Sequence, residues 1–328
     1  MSTMSEQKGS KVILITGGAG FIGSHLAEAL AQQHEQIVII DSINDYYDRN
    51  KKEKNIQEIL KKKKVTIYRN DITDYAAMDN IVRSNHVTHI IHLAARAGVR
   101  ASINDPQLYV NDNVIGTLVI LELCRKHNIK HLIVASSSSI YGTNTKVPFS
   151  ETDAVENIIS PYGVTKRACE LYSYCYHKLY GFPITCLRFF TVYGPRGRPD
   201  MMVYKFTKAI LESTPIQVFG EGTVQRDYTF VTDIVDGIIA ALDTPREFEI
   251  INLGNSSPVE LRKMITILEG LLGKKAVQEH HPLPPGDVPV TYADISKAQR
   301  LLGYKPKIKI EEGLARFVAW YRQQEASK

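Results

Sequence analysis

The hydrophobic positions of this chain fall into short runs separated by turn residues and by longer amphipathic stretches. Lys11-Val12-Ile13-Leu14-Ile15-Thr16 and Gln36-Ile37-Val38-Ile39-Ile40 are nearly continuous apolar runs rich in branched side chains. Such runs mark strands buried on both faces of a parallel sheet. Val65–Arg69, His89–Leu93, His131–Ala135 and Ile184–Arg188 repeat the pattern through the first 190 residues. Between them Ser24–Leu30, Ala76–Asn85, Gln107–His127 and Tyr162–Tyr180 read as helices. The alternation predicts an α/β fold, a doubly wound parallel sheet covered by helices on both faces. Past residue 195 the regularity ends. Gly197, Pro199, Pro215, Gly220 and Gly222 punctuate short elements, and Pro282 to Pro289 is rich in proline and glycine. The expected division is a main domain of residues 1–194 plus about 230–254, with Phe230–Leu242 as a helix, and a smaller α+β domain of 195–229 and 255–328.

Ligands of open parallel sheets bind beyond the carboxyl ends of the strands, so the residues that follow each strand are the candidates. After the first strand comes Gly17-Gly18-Ala19-Gly20-Phe21-Ile22-Gly23, with glycines at 17, 20 and 23, and then a helix. In this strand–turn–helix setting glycines provide a tight turn, room for a pyrophosphate over the backbone, and close helix packing. The helix N-terminus adds N–H donors and partial positive charge. Asp41 ends the second strand, about 20 residues on, where a carboxylate accepts from a ribose hydroxyl pair. An acid there repels a 2′-phosphate, so NAD is favoured over NADP. Asp71 and Ile72 suit an adenine edge, and Leu93-Ala94-Ala95 lets a cofactor approach the backbone. Two further strands end in Ser136-Ser137-Ser138-Ser139 and in Phe189-Phe190-Thr191, compact segments at the expected site.

Tyr162 and Lys166 lie four residues apart near a helix start and so share one face. A free phenol titrates near ~10. An ammonium one turn away favours the phenolate, which gives a proton acceptor at neutral pH.

Composition narrows the picture. The 328 residues, 44% hydrophobic, suffice for one large core or two domains. Much of the net charge of +5 sits in Lys51, Lys52, Lys54 and Lys61 to Lys64. No aromatic interleaving accompanies it, which argues against nucleic acid. Cys124, Cys169, Cys175 and Cys186 lack C-x-x-C spacing and read as reduced thiols of a cytoplasmic protein. The histidines show no metal-ligand spacing, so no metal is expected. Residues 1–10 are polar, and no apolar stretch is long enough for a membrane span.

Together the three spaced glycines, Asp41, the serine run and the Tyr162/Lys166 pair resemble the extended short-chain dehydrogenase/reductase superfamily, over essentially the whole chain. The resemblance implies a Rossmann domain with bound NAD, a small sugar-nucleotide domain, and a homodimer built through Gln107–His127 and Tyr162–Tyr180. It implies that Tyr162 takes a proton from the sugar 4-hydroxyl while hydride leaves C4. Lys166 then holds the ribose, and Ser137 bonds the 4-oxygen. Where related 4,6-dehydratases carry Asp-Glu, this chain has Ser138 and Ser139, and the glutamate typical of UDP-glucuronate decarboxylases at the second position is missing. A 4-epimerase remains.

Asp45-Tyr46-Tyr47-Asp48, Ala97-Gly98-Val99-Arg100, Arg188 to Met201 and Pro285-Gly286-Asp287-Val288 are similar to UDP-glucuronate 4-epimerases. UDP-glucose or UDP-N-acetylglucosamine epimerisation is the alternative, with UDP-glucuronate decarboxylation and a non-catalytic NAD-binding scaffold as less favoured readings behind both. On this reading Thr191, Ser138 and Ser139 face the C6 side of the sugar. Arg198 meets a C6 carboxylate, which a guanidinium matches in a planar, two-pronged way. Arg100, Arg226, Val218, Phe219 and Asp287 are the remaining substrate candidates, with Arg226 on the diphosphate and Val218, Phe219 and Asp287 toward the uridine.

Overall fold

The structure is a computed structural model that describes residues 11–33, 36–282 and 288–326. Its first part runs β1 (Val12–Thr16), α1 (Phe21–Gln32), β2 (Gln36–Ile40), α2 (Arg49–Leu60), β3 (Val65–Tyr68), α3 (Tyr75–Ser84), β4 (His89–His92) and α4 (Val99–Asn104). Next come α5 (Pro106–Tyr109), a π-helical turn (Val110–Ile115), α6 (Gly116–His127), β5 (His131–Ser137), α7 (Pro161–Tyr180) and β6 (Ile184–Phe189). The later chain forms β7 (Thr191–Tyr193), α8 (Met202–Glu212), β8 (Ile216–Phe219), β9 (Gln225–Phe230), α9 (Val231–Asp243) and β10 (Phe248–Leu253). It ends in β11 (Pro258–Glu260), α10 (Leu261–Leu272), β12 (Gln278–His281), β13 (Val290–Thr291), α11 (Ser296–Leu302) and α12 (Ile310–Ala326).

Seven parallel strands make the main sheet, in the order β10-β6-β5-β4-β1-β2-β3. The apolar strand runs divide between its two faces. Ile13, Ile15, Ile37 and Ile39 pack with Leu26 and Leu30 of α1 and with Ile234 and Ile238 of α9. Leu14, Val38 and Ile40 turn the other way, onto Met78 and Ile81 of α3 and Ile120 and Leu121 of α6. Period-two alternation inside a wholly apolar run explains why both faces need helices. Each such fully buried side chain contributes about 1.5–3 kcal/mol relative to exposure. The order in which the chain adds strands reverses between β1 and β4, and the crevice at such a reversal is where open parallel sheets bind ligands.

After β6 the small strands build two further sheets, β11-β9-β13 joined by β7, and β12-β8. The α1/α9 core cluster continues into this region through Phe206, Val218, Phe230 and Phe317.

One helix and one strand differ from expectation. The expected helix Gln107–His127 starts at Pro106 and widens into the π-helical turn. At that turn Asn113 turns its amide inward to bond Arg96 N, Arg96 O and Thr165 Oγ1 at 2.7, 3.0 and 2.9 Å. The strand expected at His131–Ala135 extends to Ser137, because Ser136 and Ser137 continue the register with Arg188 and Phe189.

The amino ends of the strands and the helix-facing layer hold histidines without charge. His92 sits between Thr16 Oγ1 (2.7 Å) and Thr117 Oγ1 (3.2 Å). His131 bonds Thr185 Oγ1 at 2.9 Å, and His89 is its register neighbour. Burial pushes His92 down to about 3 and His89 and His131 down to about 4. These rings stay neutral in the fold while the unfolded chain takes up protons below ~6.5. Their contribution is therefore complete above pH ~6.5 and is lost as pH falls toward 4, by about 1.4 kcal/mol per pH unit for each. Denaturant midpoints at pH 7.5, 6 and 5 should fall in that order. A midpoint constant from 7.5 to 5 would mean that the rings gain protons without cost to the sheet.

Candidate active site

A cleft of about 520 Å³ opens beyond the carboxyl ends of β1, β4, β5 and β6. Gly17, Gly20, Phe21, Ile22 and Gly23 form its floor. Gly17 has φ +71°, and a Cβ there would meet Ala94 Cα and N at 2.8 Å. A Cβ on Gly23 would lie 2.3 Å from Gly17 O. The turn is thus drawn tight against β4 and α1, and side chains would fill the cradle that a pyrophosphate needs.

Asp41 receives Ala19 N at 3.1 Å and Ile43 N at 2.9 Å, which fixes the glycine turn to the end of β2. Asp71 accepts from Thr73 N at 2.8 Å and, with Ile72, borders the same cleft. Leu93, Ala94 and Ala95 form the wall after β4, where Thr16 Oγ1 accepts from Ala94 N at 3.2 Å.

The side chains expected to be catalytic come from two elements. Ser160 caps α7 through Gly163 N (3.1 Å), and Pro161 occupies the first turn. This start signal sets Tyr162 at the cleft edge and Lys166 one turn deeper. Lys166 is buried and donates to Ala135 O at 2.8 Å. Ser137 ends β5, with its Oγ accepting from Ser139 N at 3.1 Å and lying 3.2 Å from Ser139 Oγ. Tyr162, Lys166, Ser137, Ser138, Ser139 and Thr191 all border the one cleft. Tyr109 meets the Tyr162 ring edge-on at 6.3 Å.

Behind them lies a buried ionic network. Glu170, one turn beyond Lys166, accepts from Ser136 Oγ at 2.7 Å and from Arg188 Nε and Nη2 at 2.8 and 2.9 Å. Arg188 also donates to Tyr141 OH at 3.0 Å, which donates to Asn252 Oδ1 at 2.7 Å.

The end of the cleft beside Thr191 carries paired charges. Arg198 borders the cleft and grips Asp200 with two prongs, at 2.9 and 2.8 Å. Burial acts to raise the Asp200 carboxyl, and Arg198 outweighs it, holding the group below its ordinary range. Across from them Arg96 binds Asp112 at 2.8 Å. The Tyr46 ring lies near both guanidinium groups, at 5.4 and 5.7 Å. Tyr46 and Tyr109 both donate to Ala97 O. Arg196, the neighbour of Arg198 in sequence, turns to Glu28 on α1 instead, at 2.8 Å.

Other expected substrate residues lie outside this cleft. The Arg100 guanidinium stacks on Phe219, 4.7 Å from the ring centroid, which joins α4 to β8. Val218 is only 1% exposed and packs into the core, so only its backbone can face a base. Arg226 donates to Gln225 O and Val288 O at 2.9 Å. Asp287 lies outside the described residues. Sequence reasoning missed Asn44, Tyr46, Lys52, Arg96, Asp112 and Asp200, all of which border the cleft. The Asp45-Tyr46-Tyr47-Asp48 run was the one available signal for the first group.

This geometry is that of a nucleotide-dependent enzyme acting on a hydroxyl carbon, and the chain belongs to the NAD dependent epimerase/dehydratase family, whose model matches residues 13–254. More particularly, it is 46% identical over 311 residues to a UDP-glucuronate 4-epimerase of Thermodesulfobacterium geofontis, covering 94% of this chain and 96% of that one. Among solved structures it superposes with a TM-score of 0.90 on UDP-glucuronic acid 4-epimerase from Bacillus cereus in complex with UDP-glucuronic acid and NAD, at 37% identity, covering 95% of this chain and 99% of the other. UDP-glucose 4-epimerase of Thermotoga maritima with UDP-glucose matches at a TM-score of 0.87 and 32% identity, over 96% of this chain and 99% of the other.

The Glu170 network generates a stability prediction. Removing one member of a buried ion pair strands the other, at about 3–5 kcal/mol. Glu170→Ala should lower unfolding free energy by about that amount in urea titrations. A loss under ~1 kcal/mol would mean that water reaches Arg188.

Proposed function

We propose that this protein is an NAD-dependent 4-epimerase that interconverts UDP-glucuronate and UDP-galacturonate. The observation that carries the reading is the convergence of Ser137, Tyr162 and Lys166 on a glycine-floored cleft whose far end presents Arg198, Thr191 and two serines.

The residues fit NAD at one end: the glycine cradle for its pyrophosphate, Asp41 for its adenosine ribose, and Lys166 for its nicotinamide ribose. When bound, NAD supplies a reversible hydride acceptor. Tyr162 takes the proton of the sugar 4-hydroxyl, Ser137 hydrogen-bonds the 4-oxygen, and Lys166 sets a positive charge beneath both. Once C4 is a ketone, rotation of the flat sugar presents its other face, and Tyr162 returns the proton as hydride comes back. Neither Ser138 nor Ser139 can act as a carboxylate acid or base, so elimination across C5 and C6 lacks its machinery.

A 4-keto uronate is a β-keto acid and loses CO₂ when its carboxylate aligns with the ketone. Ser138, Ser139, Thr191 and Arg198 are the groups that hold the carboxylate out of that alignment. One observation favours a neutral UDP-sugar as the second reading: Arg198 already has Asp200 on its two-pronged edge. A substrate carboxylate must then bind the remaining nitrogen or displace Asp200.

We also assign a homodimer. Ile103 on α4, Val110 and Ile115 on the π-helical turn, and Val164, Leu171 and Leu179 on α7 are exposed, Ile103 and Leu179 by 62% and 65%. A second copy is the occupant because α4 to α7 form one helical face that can meet its own twofold image. The described residues contain no helix long and apolar enough to cross a membrane. A cytoplasmic role supplying an activated uronic acid to polysaccharide-building glycosyltransferases fits the free cysteines.

The deciding experiment is NMR of the anomeric signals of UDP-glucuronate incubated with the protein and NAD. UDP-galacturonate should appear without net NADH. A UDP-pentose product would show the carboxylate unrestrained, and turnover of UDP-glucose alone would select the second reading. Tyr162→Phe should lower turnover by about 10²–10⁴. Arg198→Ala should lower uronate kcat/KM at least ~10-fold, about 1.4 kcal/mol, while sparing any neutral-sugar activity. Equal losses on both sugars would remove Arg198 from carboxylate recognition. For the dimer, Leu171→Glu should sediment as a monomer where the parent sediments as twice that mass. A monomeric parent at micromolar concentration would refute the assignment.

A further inference from the structure

Lys52 is a buried lysine at the cofactor end whose role the chemistry above does not use. It rises from α2 with only 6% exposure and borders the same cleft as Asp41, Ser42 and Asn44. Its Nζ donates to Asn44 Oδ1 at 2.9 Å and Asn44 O at 3.2 Å, and lies 3.7 Å from Asp41 Oδ1. The Tyr47 ring backs it at 5.1 Å. A buried ammonium is costly unless paired, and here the pairing group is the carboxylate expected to hold the adenosine ribose.

We propose that Lys52 is part of the adenosine-ribose site and that, by neutralising Asp41, it leaves that site able to accept a 2′-phosphorylated dinucleotide. An acid at the end of β2 excludes a 2′-phosphate by like-charge repulsion. That argument counts Asp41 alone. With Lys52 beside it the pair carries no net charge, and both Asp41 oxygens already accept backbone N–H groups from Ala19 and Ile43. The neighbouring Ser42 is exposed and small, so no bulky side chain at that position closes the space by sterics. Discrimination between NAD and NADP is therefore set by the balance of two opposite charges rather than by one acid. A purely structural lysine, clamping the loop between β2 and α2 through Asn44, would change stability but not the choice between dinucleotides. The inference concerns the cofactor end alone and holds whichever UDP-sugar is the substrate.

The test reads binding rather than turnover. Purified protein is equilibrated with equal concentrations of NAD and NADP, freed of unbound nucleotide by rapid filtration, and the retained nucleotides are separated and quantified. The parent should retain NADP beside NAD, and a parent that retains NAD alone would overturn the proposal. Lys52→Met should lower the retained NADP:NAD ratio at least ~10-fold relative to the parent, while Lys52→Arg should stay within about threefold of it. An unchanged or raised ratio in Lys52→Met would overturn the proposal and leave Lys52 a loop clamp. Should Lys52→Met retain neither nucleotide, Asn44→Asp decides: it keeps the lysine and adds a negative charge at its partner. The ratio should then fall severalfold, and an unchanged ratio would again overturn the proposal.

Discussion

The buried pair of Glu170 and Arg188 is the constraint on which the site depends. The side chains that line the candidate site come from three elements: Tyr162 and Lys166 ride on α7, Ser137 ends β5, and Thr191 begins β7 just after β6. None of these is adjacent in sequence, and a helix can slide on a sheet by a side-chain width at small cost. Glu170 removes that freedom. One carboxylate takes Ser136 Oγ from β5 and two nitrogens of Arg188 from β6, and it sits one turn from Lys166. Because both groups are at most 1% exposed, water cannot substitute for a displaced partner. The network continues through Tyr141 to Asn252 on β10. Helix and strand ends are thereby held at one offset, which proton transfer between fixed groups requires.

The cofactor end obeys a different constraint, the close approach of backbones. Gly17 against Ala94 and Gly23 against Gly17 leave no space for a Cβ. Asp41 locks this turn by hydrogen-bonding Ala19, and Asn55 of α2 holds the Ala19 carbonyl at 3.0 Å. The floor of the cleft is thus built before any ligand arrives, so less ordering accompanies binding.

What the sequence made legible follows from the range of the interactions. The six expected strands of the main sheet and their order of alternation were readable because burial on both faces leaves an unbroken apolar run. The glycine turn and the Tyr162/Lys166 spacing were readable because each is complete within a few residues. The Asp200 grip on Arg198 spans two residues as well, yet it was missed, since a loop gives no periodicity to fix side-chain direction. Lys52, Arg96 and Tyr46 were missed for a longer-range reason. They reach the cleft from α2 and from two loops that only the folded sheet brings together. The π-helical turn was likewise invisible: its cause is Asn113 bonding Arg96 and Thr165, a contact 17 residues back and 52 ahead. Val218 shows the converse limit: similarity places it on the strand beside the base, and its side chain packs into the core, which leaves its backbone for that role.

The two ends of the cleft share one device, a charge held by an internal partner in the place where a ligand group must act. At the cofactor end Lys52 faces Asp41, and at the sugar end Asp200 holds Arg198. Without a partner, Arg198 would stand uncompensated in a half-buried pocket, which is costly. With Asp200 it is compensated, and on the function proposed above a uronate would gain only the difference between its own carboxylate and that of Asp200. Weak net attraction suits an epimerase. The keto sugar must turn over between two hydride transfers, and a carboxylate clamped by an otherwise unpaired arginine would oppose that rotation. On that proposal, a guanidinium shared between an internal and a substrate carboxylate would restrain the substrate in both orientations without fixing it in either.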